Sequence, residues 1–168
     1  MGIPTPQRPS LSGYVQPGKL LAWQWAADRL VRSPAYWIAT RTAGYPSARP
    51  VWGIWREHHL WFSSGSAIAR NIARDGRVQV NVESSHEVVL IEGIATGLAQ
   101  RHVNDWVEAY REKYHWEMPA TAEDVFEVRP VRALAWICDN SGLDGGVQFS
   151  NSATQWTFEM TEDGHAEH

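Results

Sequence analysis

The sequence predicts a mainly β chain: a small antiparallel barrel of six or seven short strands, with two or three helices on its rim. Three observations carry this. After Pro34 the hydrophobic period changes from helical to two, and it keeps returning to two until residue 159. The segment RVQVNVE alternates strictly, with Val78, Val80 and Val82 on one face and Arg77, Gln79, Asn81 and Glu83 on the other. At 168 residues, the chain is long enough to bury roughly two-thirds of its unfolded surface in one core. There is no internal repeat and no linker between domains.

Residues 1–16 hold prolines among Ser, Gly and Gln and read as a flexible arm. From residue 17 to 33, Leu20, Trp23, Ala27, Leu30 and Val31 recur at helical spacing, and Pro34 ends the run. AYWIATR (35–41) is a strand followed by the turn cluster TAGYPSA, and RPVWGIWR (49–56) is a second strand with Pro50 at its opening. Glu57 and His58 connect it tightly to a third, HLWFS (59–63). SSGSAIARNIARD then turns helical, with Ile68 and Ile72 on one face and Arg70 and Arg74 on the other. Strand 77–83 follows, and a longer one spans 86–98, where Gly93 and Gly97 suit bulges. An acidic helix at 102–114 buries Val103, Trp106, Val107 and Tyr110. Residues 125–138 form a strand pair or one bent strand, with Pro130 at an edge or bulge. The glycine-rich SGLDGG leads to a last strand, ATQWTFE (153–159). The barrel domain thus spans 17–159, and 160–168 is an acidic tail expected to be disordered.

Composition excludes several functions. The net charge of −4 argues against a nucleic-acid partner. No apolar run nears the ~18 residues of a membrane span, and the N-terminus lacks the apolar middle of a secretory signal. The single cysteine, Cys138, reads as buried; it rules out an intrachain disulfide and suits a cytoplasmic location. The seven histidines show no metal-ligand spacing, and no nucleophile motif, Walker loop or GxGxxG is present.

Charge is uneven. Residues 29–77 hold eight arginines against Glu57 and Asp75, while residues 157–168 carry −4, the whole net charge. Within the basic stretch, WFSSGSAIARN runs from a strand through Ser63, Ser64 and Ser66 into a helix start, a local pattern that binds anions. Arg70 and Asn71 sit one turn in. An ordinary helix capped by Ser66 explains the same residues, and edge-strand solvation explains Arg41 and Arg49. Ten tryptophans exceed ordinary usage. Core packing accounts for most, and Trp52 and Trp55, on opposite faces of one strand, place at least one inside.

The ordered string YWIATRTAGYPSARPVWGIW, then HLWFSSGSAIARNIARDGRVQVNVE, then HEVVLIEGIA resembles the pyridoxamine 5′-phosphate oxidase-like superfamily of flavin-binding split barrels. ATQWTFE is similar to a closing motif of its deazaflavin-dependent branch. The resemblance covers about residues 20–159, most specifically 36–96. It implies a six-stranded antiparallel split β-barrel acting as a homodimer, with two cofactors in clefts at the interface. Arg49, Pro50, Val51 and Trp52 would lie along the ring system, the last two offering backbone groups. Ser63, Ser64 and Ser66 would contact the ribityl chain and phosphate, with Arg70 and Asn71 closing that site. Gln79 and Asn81 would approach from the next strand, and Trp136 and Gln155 from the partner's side. Two departures stand out: Ile68 and Gln155 occupy positions where many relatives carry lysine and arginine.

The activity implied is hydride transfer between coenzyme F(420), slightly favoured, or FMN and a small unsaturated or aromatic substrate. The cofactor supplies the hard chemistry, so no catalytic side chain is assigned; Tyr36, Tyr45 and His59 are candidate proton donors. The alternative is a non-catalytic cofactor or tetrapyrrole carrier, or a redox sensor, on the same fold. Reoxidation of the reduced cofactor by candidate acceptors separates the two.

Overall fold

A computed structural model describes residues 2–10, 18–65, 67–117, 124–139 and 143–159. Of the arm expected at 1–16, residues 1 and 11–16 lie outside the described residues, as do the tail at 160–168 and Ser66. Helix α1 (Trp23–Arg32) is followed by strands β1 (Tyr36–Thr40), β2 (Ser47–Val51), β3 (Gly53–Arg56) and β4 (His59–Ser63). Then come α2 (Ala67–Arg74), β5 (Arg77–Val82), β6 (Glu87–Gly97), α3 (Val103–Tyr114), β7 (Val125–Ile137), α4 (Leu143–Ser152) and β8 (Thr154–Thr157).

The strands pair in the order β2–β1–β5–β6–β7–β4–β3, all antiparallel, with β8 added to β7. β2 and β3 lie at opposite ends of this path, yet only Trp52 separates them in sequence. The ring is therefore closed by the covalent chain and not by a ladder of hydrogen bonds. This is a split barrel. Among the described residues eight strands replace the six expected, partly because segment 49–56 is two strands that pair with different neighbours. Gly53 permits the switch: a Cβ there would lie 2.8 Å from the Trp61 carbonyl oxygen. Residues 125–137 form one strand, and its register with β6 shifts at Glu92/Gly93, opposite Pro130. Gly93 marks a bulge as its sequence context suggests; Gly97 does not.

Inward positions fill the barrel with Ile38, Leu60, Phe62, Val80, Val89, Ile91, Val128 and Trp156, and α1 plugs one end with Trp23, Ala26 and Leu30. Val31, expected on the apolar face of α1, is exposed. A second cluster (Ile54, Trp61, Trp106, Tyr110, Val125) lies under α3. Trp23, Trp55, Trp61, Trp106 and Trp156 are buried, each contributing about 4–6 kcal/mol of transfer free energy. Core packing thus explains half of the tryptophans and leaves Trp37, Trp52 and Trp116 exposed.

Helix α3 stitches the seam that the barrel leaves open. The Tyr114 hydroxyl accepts the Gly53 N–H (2.9 Å) and lies 2.8 and 3.0 Å from the Gly53 and Pro34 carbonyls. The Lys113 ammonium donates to the Gly53 carbonyl (2.9 Å) and the Tyr36 hydroxyl (3.1 Å).

The glycine-rich stretch expected as a loop enters α4 instead. Its two glycines oppose helix formation, so tertiary contacts hold it. Gly145 packs where a Cβ would lie 2.1 Å from the Asp139 carbonyl oxygen. Ser152 Oγ receives the Ile137 N–H (2.8 Å), and Phe149 meets Trp136 edge-on at 5.6 Å. Arg8 donates to the carbonyls of Ser150 and Asn151 at the helix C-terminus (3.3 and 3.2 Å), supplying the cation that its last turn lacks. The N-terminal segment is further fixed where Gln7 and Gln155 exchange both backbone hydrogen bonds at 2.8 Å. Cys138 falls just beyond β7 and is half-buried, not fully buried as the sequence suggests.

Candidate functional site

Gly53 pairs with Phe62, so Trp52 and Ser63 emerge at the same end of the β3–β4 hairpin. Val51 is buried, Trp52 is 49% exposed, and Arg49 and Pro50 are exposed on β2, an open edge of the sheet. Past Ser63 the Ser64 N–H is taken by the Asp124 carbonyl at 3.1 Å. Ser63 and Ser64 are both half-exposed. Along α2, Ile68 and Ile72 are in the barrel core. Asn71 is buried too, its Nδ2 donating to Thr40 Oγ1 at 2.9 Å. Successive helical residues point about 100° apart, so Arg70, on solvent, and Asn71 do not converge as expected. Asn71 instead ties α2 to β1.

Ion pairs remove much of the basic excess. Asp75 binds both Arg41 (2.8 Å) and Arg77 (2.7 Å), and the Arg77 hydrogen bonds hold its carboxyl well below the usual range. Arg29 pairs with Glu87, and Arg56 approaches Glu57 at 3.7 Å. Among the described residues, Arg32, Arg49, Arg70 and Arg74 have no acidic partner. The unpaired charge is spread along β2 and α2, not gathered in one cluster.

The remaining candidates share the outer face of the sheet. Trp37 of β1 stands between Pro50 and Asn81, and Ala39 between Ala48 and Gln79. The same row continues through Leu90 and Glu92 to Leu134 and Arg132. Trp136 and Gln155 extend it on β7 and β8. A groove of about 480 Å³ opens here over Ala39, Gln79, Ile94 and Val131, with Arg77 and Glu92 at its margin. Of the predicted site residues only Gln79 lines it. One chain therefore presents two half-sites: a seam edge (Val51, Trp52, Ser63, Ser64, Arg70) and an outer face (Pro50, Gln79, Asn81, Trp136, Gln155).

The candidate proton donors differ in access. Tyr36 is wholly buried, donates to the Leu30 carbonyl (2.5 Å), and burial pushes its phenol far up. Tyr45 is 92% exposed in the β1–β2 turn. His59 is hydrogen-bonded to Glu127 at 3.2 Å. That bond, with others from Arg129 (3.0 Å) and Trp61 (3.1 Å), lowers the Glu127 carboxyl to about 2 against the cost of burial.

Sequence reasoning missed the residues that surround Trp52. Its ring stacks on Tyr114 (5.0 Å between centroids, planes 10° apart) and meets Trp116 nearly at right angles (6.2 Å, 73°). Tyr110 completes the group at 6.4 Å. A signal was present: Tyr110 and Tyr114 are four apart on one helix and Trp116 is two residues on.

Residues 24–137 match the pyridoxamine 5′-phosphate oxidase family profile. The chain belongs to that family. No curated protein matches it. Among solved structures, a conserved Mycobacterium tuberculosis protein superposes with TM-score 0.59 at 18% identity, covering 73% of this chain and 89% of its own. A FAD-binding protein of Mesorhizobium loti gives 0.54 at 15% identity, covering 67% and 92%. An F(420) reductase gives 0.51 at 21% identity, covering 63% and 93%. These likenesses show the shared fold. Two of these structures are named for flavin-type cofactors, and the donor set of this chain fits one part of such a group better than another. The open β2 edge and the Trp52 end fit a flat ring; four dispersed, unpaired arginines fit an extended anion. The compact phosphate cluster is not assembled, because Ile68 and Asn71 face inward.

Proposed function

We propose that this chain is a flavin- or deazaflavin-dependent oxidoreductase that favours coenzyme F(420) over FMN and reduces or oxidises a small unsaturated or aromatic substrate. The observation that carries the preference is Ile68. It is 4% exposed in the barrel core, so the helix start lacks a cation for a compact phosphate, while Arg49, Arg70 and Arg74 remain free for a longer acidic chain. When bound, the cofactor gives or takes the hydride. The edge of β2 from Arg49 to Trp52 orients its ring, and Ser63, Ser64, Ser66 and Arg70 hold the polar chain beside it. Gln79 and Asn81 approach it from β5, and Trp136 and Gln155 complete the cleft from a second copy in a homodimer, with exposed Trp37 at the contact. Trp52 and Trp136 exclude water above the ring. A cytoplasmic location accords with this chemistry.

Expression in a host that makes both cofactors, followed by the absorption spectrum of the copurified chromophore, tests the reading. A deazaflavin spectrum is expected; an FMN spectrum overturns the preference. The competing reading, a carrier or sensor, predicts that no quinone, nitroaromatic or tetrapyrrole acceptor reoxidises the reduced cofactor without oxygen.

A further inference from the structure

Lys113 is an anomaly. Its ammonium is partly buried at the barrel seam, and its partners are a hydroxyl and a carbonyl, the Tyr36 Oη and the Gly53 oxygen. No carboxylate pairs with it among the described residues. Buried cations are normally compensated by an anion. Here the compensation is weak: the Tyr36 and Tyr114 rings lie 4.9 and 5.2 Å from Nζ, and burial lowers the amine from 10.5 to about 8. Lys113 has three N–H donors, and two are engaged.

Beside it stands a set of rings that the core does not need. Trp52 and Trp116 are 49% and 56% exposed, too open to be packing residues. One face of Trp52 is backed by Tyr114, whose hydroxyl is anchored at Gly53 and Pro34. Trp116 is aimed by His115, a left-handed residue (φ 52°) that ends α3 with its N–H on the Arg111 carbonyl. The two indole planes thus meet at 73°, a corner in which a planar ring can stack on one wall and meet the other edge-on.

We propose that Trp52, Trp116 and Lys113 form a receptor for a planar aromatic carboxylate, the ring in the indole corner and the carboxylate on the lysine. This names the substrate class of the reading above and rests on it for the word substrate alone; the binding site itself needs no cofactor. The titratable groups around Lys113 are Tyr36 on β1 and Tyr110 and Tyr114 on α3. Burial pushes all three phenols up, so of these four groups the ammonium is the one lowered to about 8.

The test is calorimetric titration of the cofactor-free full chain with 2-naphthoate and with neutral 2-naphthylmethanol. Naphthoate is expected to bind about tenfold tighter than the alcohol, and to weaken as pH rises through about 8, where Lys113 loses its charge. Lys113→Met is expected to remove both the preference and the pH dependence. Lys113→Arg keeps the preference and abolishes the decline, which guards against a merely structural role. Trp116→Ala, at an exposed site, weakens both probes. Equal binding of the two probes, no binding, or affinity indifferent to Trp116→Ala and Lys113→Met overturns the proposal. Cofactor binding, read separately by absorbance, can fail while this titration succeeds, so the two readings fall independently.

Discussion

His58 shows how one side chain sets a pH limit. Its Nδ1 accepts the Trp23 indole N–H at 3.1 Å, an arrangement open only to the neutral ring. Burial first, then nearby positive charge, lowers its pKa below the usual 6.5. A folded-state value below the unfolded one means that the unfolded chain binds the extra proton first. The contribution is therefore complete above pH 6.5 and is lost as pH falls through the lowered value. Urea unfolding between pH 7.5 and 5 is expected to show stability falling with pH. His58→Asn, which tolerates the left-handed backbone there (φ 68°), should flatten that slope; an unchanged slope would place its origin elsewhere. Asn71 yields a second prediction. Asn71→Ala leaves Thr40 Oγ1 without its partner in a buried site and is expected to cost about 1–3 kcal/mol by denaturant unfolding. Little change in stability, with impaired anion binding, would return Asn71 to the anion site.

At the scale of elements, α3 and α4 each complete something the strands leave unfinished. Tyr114→Phe removes the hydroxyl that satisfies the Gly53 N–H at the seam and is expected to destabilise the fold by about 1–3 kcal/mol. Hydrogen exchange should locate the loss at β3 and the end of α3. For α4 the decisive contact comes from far away in sequence: Arg8→Ala should speed amide exchange across 143–152 while β7 stays protected. The period-two pattern made the strands of the barrel legible, and the 3.6 pattern revealed α1, α2 and α3. Helix α4 was not legible, because Gly145 and Gly146 oppose a helix locally and contacts with residues outside it, among them Ile137, Trp136, Asp139 and the Arg8 cap, offset that cost. Nor was the break at Trp52, since RPVWGIWR reads as one continuous apolar segment and only the pairing partners reveal two strands.

At the scale of the whole molecule, the charge imbalance and the tryptophans change meaning once the chain is folded. Half of the arginines in 29–77 are paired within the chain, so the raw excess overstates the anion site; the half that remains lines β2, α2 and the end of α1. The family and the barrel were legible in the string 36–96. The seam group was not, because Trp52 and Tyr110–Trp116 are far apart in sequence and meet only through the Gly53 contacts. The division of the candidate residues between a seam edge and an outer face follows from register, and the cleft proposed between two copies would reunite them. The most direct test of this account is an equilibrium titration of the purified protein with coenzyme F(420) and with FMN in the same low-salt buffer, followed by cofactor fluorescence. Coenzyme F(420) is predicted to bind more tightly, with Arg70→Ala/Arg74→Ala weakening it about tenfold and barely affecting FMN. Tighter binding of FMN, or no binding of either, would contradict it.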